Sequence, residues 1–335
     1  MVSFIYVEKN FFVERMLIMG GLISVIIPTY RRANMLREAI LSVKMQDYPH
    51  IEIIVVDDNS WEETSKTADE FPDVIFLRND ENRGPGYSRK KGFEHSRGEY
   101  VIFLDDDDYY TDESFFSRCV ELFQEREDAT VVIADVRILD VATETYRTQE
   151  RDRYGWMLCK DYLQEYNIKS TTLSTFPAMF SKRMLLKSGI QDMQMVNDMA
   201  LYMRSFTNGY VYFLKAVIGI YRVHAANISK HITGNFVIAN LEEKLTVYKT
   251  VVEQNLFENF DQWWLQQMEV TVSYYVYGSH PTFSDLNKVR KWCISNSVKK
   301  AEVREKFDKY RSYLVDYRIC KLKCAIKKFL GMSVE

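Results

Sequence analysis

No cysteine in this sequence has a partner at CxxC spacing, no apolar run is long enough to span a bilayer, and neither sign of charge dominates. Each absence removes a class of function. The five cysteines (Cys119, Cys159, Cys293, Cys320 and Cys324) are scattered and odd in number, which excludes a disulfide framework and a zinc-ribbon site and suits a reducing cytoplasm. A formal net charge of -3 with 27% charged and 47% hydrophobic residues excludes a polyanion-binding surface and a disordered chain, so nucleic acid is not an expected partner. Residues 1–21 lack the basic-then-apolar order of a secretory signal, and Met16 and Met19 sit just before the first clear strand; the segment is read as an N-terminal extension.

What is present begins with alternation. Leu22 to Pro28 reads as a buried strand, Arg32 to Gln46 as an amphipathic helix, Ile51 to Asp57 as a strand and Glu62 to Glu70 as a helix. Asp73 to Leu77 reads as extended, Pro85 to Ser96 as helical, and Tyr100 to Leu104 as extended again. Strands apolar on both faces and separated by helices predict an α/β fold, a mostly parallel sheet flanked by helices whose ligands bind beyond the carboxyl ends of the strands. Further on, the spacing predicts a strand at Val131 to Leu139, a polar stretch to Arg153, apolar segments around Thr175 to Met184, a helix over Asn197 to Thr207, and one long or two short strands over Tyr210 to Tyr221. Beyond Thr233 the pattern is helical. Its last stretch, with Leu314, Ile319, Leu322, Ile326 and Phe329 among Arg318, Lys321, Lys323, Lys327 and Lys328, reads either as a docked terminal helix or as a basic amphipathic helix for an anionic membrane.

The strand Val101-Ile102-Phe103-Leu104 ends in four consecutive aspartates, Asp105 to Asp108. Such a run repels itself unless cations or donors compensate it, and hard carboxylate oxygens suit Mg²⁺ or Mn²⁺. A calcium-loop reading fails, because the spacing would need glycine at Tyr110 and glutamate at Phe116. Between the strands, Glu81-Asn82-Arg83-Gly84-Pro85-Gly86 is a turn-rich helix entry whose backbone N–H groups can approach a phosphate.

Taken together, Ile23-Ser24-Val25-Ile26-Ile27-Pro28-Thr29-Tyr30, Val55-Val56-Asp57-Asp58-Asn59-Ser60, Asn82-Arg83-Gly84 and Phe103-Leu104-Asp105-Asp106-Asp107-Asp108 resemble, in order and spacing, the inverting family 2 glycosyltransferases of the GT-A fold. The resemblance runs from about Leu22 to Ser229 and implies a Rossmann-like sheet, a nucleotide-sugar donor and Mn²⁺ or Mg²⁺. It places Asp105 toward the ribose and Asp107 on a cation bridging the diphosphate, with Asp106 and Asp108 auxiliary. On the nucleotide-sugar side it implies Pro28, Thr29, Tyr30, Arg32, Asn59, Arg83, Gly84, Arg89 and Asp106, with the Asp57 carboxylate accepting from uracil N3–H. Asn197-Asp198 resembles the segment that carries the general base, so Asp198 is the expected base and Asp192 its rival. Tyr221-Arg222-Val223-His224 resembles the closing motif, which gives His224 a place beside the metal. The sequence departs from the pattern in three places: Arg31 stands for a frequent asparagine, Ser88-Arg89-Lys90-Lys91-Gly92 stands where Ala-Arg-Asn before a glycine is usual, matching only at the arginine, and Asn197 replaces a glutamate.

The expectation is a cytoplasmic, metal-dependent, inverting transferase that moves a sugar from a UDP-sugar to a hydroxyl of a glycan or lipid-linked glycan in cell-surface polysaccharide synthesis. Residues 22–232 are expected to form the transferase domain (22–108 the donor half, 109–232 the acceptor half) and 233–335 a helical region for membrane contact or self-association. A nucleotidyltransferase is disfavoured, since Pro28-Thr29-Tyr30-Arg31-Arg32 is no activating loop. A non-catalytic nucleotide-sugar-binding partner of another transferase is the alternative, opposed by the presence of Asp107 and Asp198.

Overall fold

The computed structural model describes residues 20–165, 174–224 and 233–329. They fall into two compact units, one made of residues 20–163 with 174–224 and the other centred on 233–329.

The first unit is built on a ten-stranded sheet in the order β3-β2-β1-β4-β9-β6-β10-β5, with β7 added to β6 and β8 to β10. Four of its strands follow directly from the apolar runs: β1 (Ile23–Thr29), β2 (Ile51–Asp57), β3 (Ile75–Arg78) and β4 (Tyr100–Phe103) pair in parallel. All seven residues of β1 are buried, as a central strand covered on both faces requires. On one face α1 (Ala33–Lys44) lays down Leu36, Ala39, Ile40 and Val43, and each fully buried aliphatic side chain of this kind contributes about 1.5–3 kcal/mol. α2 (Trp61–Glu70) links β2 to β3. Across the sheet α3 (Pro85–His95) comes so close to β1 that a Cβ on Gly92 would lie 2.4 Å from Ile26 Cγ2. Glycine is required there by contact rather than by backbone angle.

Past β4 the sheet becomes mixed. β5 (Tyr109–Tyr110) and β9 (Ala178–Ser181) run against their neighbours, while β6 (Ala129–Asp140) and β10 (Tyr210–Val223) are parallel to each other. The stretch expected to be only polar contains β7 (Thr145–Gln149), an exposed strand paired with β6, and is followed by β8 (Gly155–Leu158). The alternative over Tyr210 to Tyr221 resolves as one strand with register shifts at Leu214/Val217 and Val217/Ile220. Between these strands lie α4 (Phe115–Glu125), α5 (Cys159–Glu165), α6 (Lys182–Lys187) and α7 (Asp198–Ser205).

The second unit consists of α8 (Gly234–Gln254), α9 (Phe260–Ser279), α10 (Phe283–Ser295) and α11 (Lys300–Phe329). Thr233 and Thr282 cap α8 and α10 by accepting from Phe236 N and Asp285 N. The interior gathers Leu241, Val247, Trp264, Val272, Val276, Val289 and Phe307, and it also holds Lys244, only 3% exposed. The Lys244 amine donates to Thr271 Oγ1 at 2.8 Å and meets no carboxylate, so burial pulls its pKa from 10.5 down to about 7.

Between about pH 7 and 10.5 the unfolded chain therefore holds a proton on Lys244 that the folded chain has released, and stability rises with pH across that window. Lys244→Met is expected to add about 1–4 kcal/mol at neutral pH and to flatten this dependence, read by denaturant unfolding from pH 6 to 10. An unchanged slope in the variant would refute the assignment.

A candidate active site at the carboxyl ends of the strands

The parallel ladder decides where the aspartates stand. Ile26 pairs with Phe103 and Leu104 N bonds Ile26 O, so Asp105 to Asp108 emerge beside Thr29, at the end of β1. Three arginines from three different elements meet them. Arg32, at the start of α1, donates to Asp106 Oδ1 at 2.9 Å and to Asp107 Oδ2 at 2.6 Å. Arg89, from α3 and 5% exposed, donates to Asp105 and places its second terminal nitrogen 2.8 Å from Asp198 Oδ1. Arg222, near the end of β10, gives its backbone N–H to Asp108 Oδ1 at 3.0 Å and its side chain to Asp107 O at 2.8 Å.

Compensation is incomplete. Burial, opposed only in part by Arg89, raises the Asp105 carboxyl above its ordinary range, and burial raises Asp106 to about 7 despite Arg32. Burial and the neighbouring Asp107 and Asp105 push Asp108 well up, and Asp108 Oδ2 has no hydrogen-bond partner. Oxygens of Asp105, Asp107 and Asp108 lie within 4.8 Å of one another. Three convergent hard oxygen donors with an unsatisfied buried oxygen among them fit a divalent cation such as Mg²⁺ or Mn²⁺. Asp106 is set apart from this group, because Thr29 Oγ1 donates to it at 2.8 Å while Arg32 holds its other oxygen. His224 Nε2 sits 2.9 Å from Asp107 Oδ2, as a hydrogen-bond partner of that carboxylate.

Asp198 opens α7, behind Asn197, whose side chain caps the helix by accepting from Ala200 N at 2.8 Å. Val196 N bonds Gly86 O, and Arg89 donates to Val196 O, so the start of α7 is tied to α3. This tie carries Asp198 to the buried guanidinium that also holds Asp105. Asp192, the rival base, is exposed in a separate cleft lined by Tyr87, Lys90 and Lys91.

The Asp57 carboxylate, expected to face the base, is fully buried and accepts from Ser60 N, Ser60 Oγ and Thr64 Oγ1 at 2.9, 2.6 and 2.8 Å, which ties the end of β2 to the residues that begin α2. The neighbouring Asp58, which the sequence reading passed over, accepts from Asn79 Nδ2, Arg83 N and Gly84 N at 2.8, 2.9 and 2.7 Å. It fixes the turn whose Gly84, at φ 85°, admits no other residue without strain. Tyr30, Asn59 and Arg83 stand exposed on the rim, with the Arg83 guanidinium 3.7 Å over the Tyr87 ring, whereas Pro28 is buried within β1. The doubled aspartate was the available signal, and its two members differ only in what the fold aims at them.

The glycosyl transferase family 2 model matches residues 24–205, from β1 to the end of α7 and through every one of these elements except β10. The chain belongs to glycosyl transferase family 2. It is 29% identical over 238 residues to an uncharacterized glycosyltransferase of Rickettsia prowazekii, covering 68% of this chain and 70% of that one. A shorter match of 91 residues, 40% identical, covers 26% of this chain and 29% of the GalNAc(5)-diNAcBac-PP-undecaprenol beta-1,3-glucosyltransferase of Campylobacter jejuni. Among solved structures, S. aureus TarS 1-349 in complex with UDP-GlcNAc superposes with a TM-score of 0.66 at 17% identity, over 89% of this chain and 91% of that one. The fold is accordingly GT-A, a central sheet flanked by helices with further helices following it.

Asp57→Ala would remove the buried acceptor that ties Ser60 and Thr64, at the start of α2, to the end of β2. The expected loss is about 2–4 kcal/mol in denaturant unfolding, with nucleotide affinity little changed. A large loss of affinity at native stability would return Asp57 to the binding surface.

Proposed function

We propose that this family 2 glycosyltransferase moves a sugar from a UDP-sugar, in a cation-dependent and inverting reaction, to a hydroxyl of a glycan or lipid-linked glycan. The observation that carries the reading is the buried Arg89, which holds a carboxylate of the three-aspartate cluster and the Asp198 carboxylate at once. In this reading its two terminal nitrogens join a phosphate-side carboxylate to the proton acceptor. UDP as the nucleotide is supported by the motif resemblance and by the UDP-GlcNAc bound to TarS. The acceptor class is supported by the lipid-linked glycan in the name of the Campylobacter relative. Such acceptors lie at the inner face of the cell membrane, the setting this reading gives the protein. Residues 22–232 form the transferase domain in this reading, 22–108 serving the donor and 109–232 the acceptor.

The chemistry follows from charge. Asp105, Asp107 and Asp108 would hold Mg²⁺ or Mn²⁺, which when bound neutralises charge on the departing diphosphate. Arg32 and His224 orient Asp107, and Arg222 keeps Asp108 and the end of β10 against the cluster. Tyr30, Asn59, Arg83 and Gly84 rim the nucleotide side, with Thr29 and Arg32 holding Asp106 behind them. Asp198, beside Arg89, takes the proton of the acceptor hydroxyl as that hydroxyl's oxygen bonds the anomeric carbon. The bond from that carbon to the phosphate oxygen breaks on the opposite face, its electron pair leaves with the diphosphate, and the configuration inverts.

Asp198→Asn is expected to lower transfer by about 10²–10⁴-fold while UDP binding persists. Transfer near the native rate would sink the base assignment. Asp107→Ala and Asp108→Ala should each abolish the stimulation of UDP binding by Mn²⁺ in calorimetry, and retained stimulation would remove the aspartates as ligands. NMR of the first-formed product decides the stereochemistry, retention being the refuting result.

A further inference from the structure

Helix α11 carries two apolar faces, and the helical unit uses only one. Val303, Phe307, Tyr310 and Leu314 are buried, and Tyr313 and Tyr317 continue that side by packing on Tyr277 and His280 of the α9 end. Leu314, grouped by its sequence with the terminal amphipathic stretch, therefore belongs to the packed face. A second stripe starts one residue later: Val315, Ile319 and Leu322 are 40, 46 and 62% exposed. At about 100° per residue this stripe stands roughly a third of a turn away from the packed side. It is a new face and not the frayed end of the old one.

Its borders are basic. By the same helical geometry Arg318 and Lys323 flank the stripe at about 70° on either side, with Lys321 behind Arg318. Between residues 315 and 329 the sequence has five basic residues and a single acid, Asp316, within a chain of formal net charge -3. The spacing of the stripe continues in the sequence through Ile326 and Phe329. Long basic side chains bordering an apolar stripe keep their charges in water while their stems cover it, the pattern of a helix lying in a lipid interface. No helix among the described residues is long and apolar enough to cross a membrane.

We propose that the second half of α11 lies on an anionic lipid surface, with Val315, Ile319 and Leu322 at the acyl boundary, Lys323 at the level of the phosphates and Lys321 above them within their field. A second copy of the chain is the poorer occupant on charge grounds. Parallel pairing through Ile319 and Leu322 would set Arg318 against Lys323 of the other copy, like against like. The surface is independent of the donor chemistry and stands whether or not the sugar nucleotide is a UDP-sugar.

Flotation of the full chain with phosphatidylcholine vesicles, and with vesicles of phosphatidylcholine and phosphatidylglycerol in equal parts, tests it. Binding is expected only to the anionic vesicles and should weaken with salt. Because Arg318 already donates to Pro281 O and lies over the Phe283 ring, the charge variant is Lys321→Glu with Lys323→Glu, both exposed. It should lower partitioning by at least about 10-fold, since each basic residue near such a surface is worth about fivefold. Ile319→Glu with Leu322→Glu should abolish it, with helical circular dichroism unchanged in both variants. Absence of binding by the native chain, or equal binding to both vesicle types, overturns the proposal. So does light scattering that shows a native dimer which the Ile319→Glu, Leu322→Glu variant converts to monomer without any vesicle binding, since the stripe would then belong to a second copy.

Discussion

Four carboxylates in succession at the end of β4 repel one another, and the elements around them are arranged to contain that repulsion. The compensating charges are not local. Arg32 comes from the start of α1, Arg89 from the middle of α3 and Arg222 from near the end of β10, and each reaches a different part of the run. Charge balance therefore holds four separate segments to one another at one edge of the sheet. Burial still raises Asp105, Asp106 and Asp108, so the arginines offset the run only in part.

That shortfall organises the site. Asp106 is retired from the cluster by Thr29 and Arg32, leaving three carboxylates that converge and one that locks the loop to β1. Arg89 is shared between this cluster and Asp198, so whatever draws Asp105 onto a cation also changes how firmly Asp198 is held. Asp105 and Asp198 are thus linked through one buried guanidinium, and the start of α7 is held to α3 by the backbone bond between Val196 and Gly86.

β1, β2, β4 and β6 were legible because each is an apolar run buried almost throughout, and the shorter β3 and the half-buried β10 were legible from their apolar content alone. β5 and β9 were not. They are two and four residues long, and they are strands only because a neighbour supplies their hydrogen bonds. β7 is exposed and polar and owes its existence to the hairpin with β6. In the site, Asp107, Asp198 and His224 were marked by motif order; His224 bonds Asp107 directly, and Asp198 is joined to the same cluster through Arg89 and Asp105. Asp57 and Asp58 were separable by no local signal, since both follow the same strand and both are buried.

Sequence alone determined the alternation of strand and helix, the aspartate run, the helical character beyond Thr233 and the basic stripe near its end, because periodicity and charge are properties of neighbouring residues. Tertiary structure alone decided which arginine answers which aspartate, that Asp108 rather than Asp106 joins Asp105 and Asp107, and that Asp57 is tied to the start of α2 while Asp58 holds the turn before α3. Those outcomes depend on distances between residues far apart in the chain, and such distances exist only once the sheet has set its register.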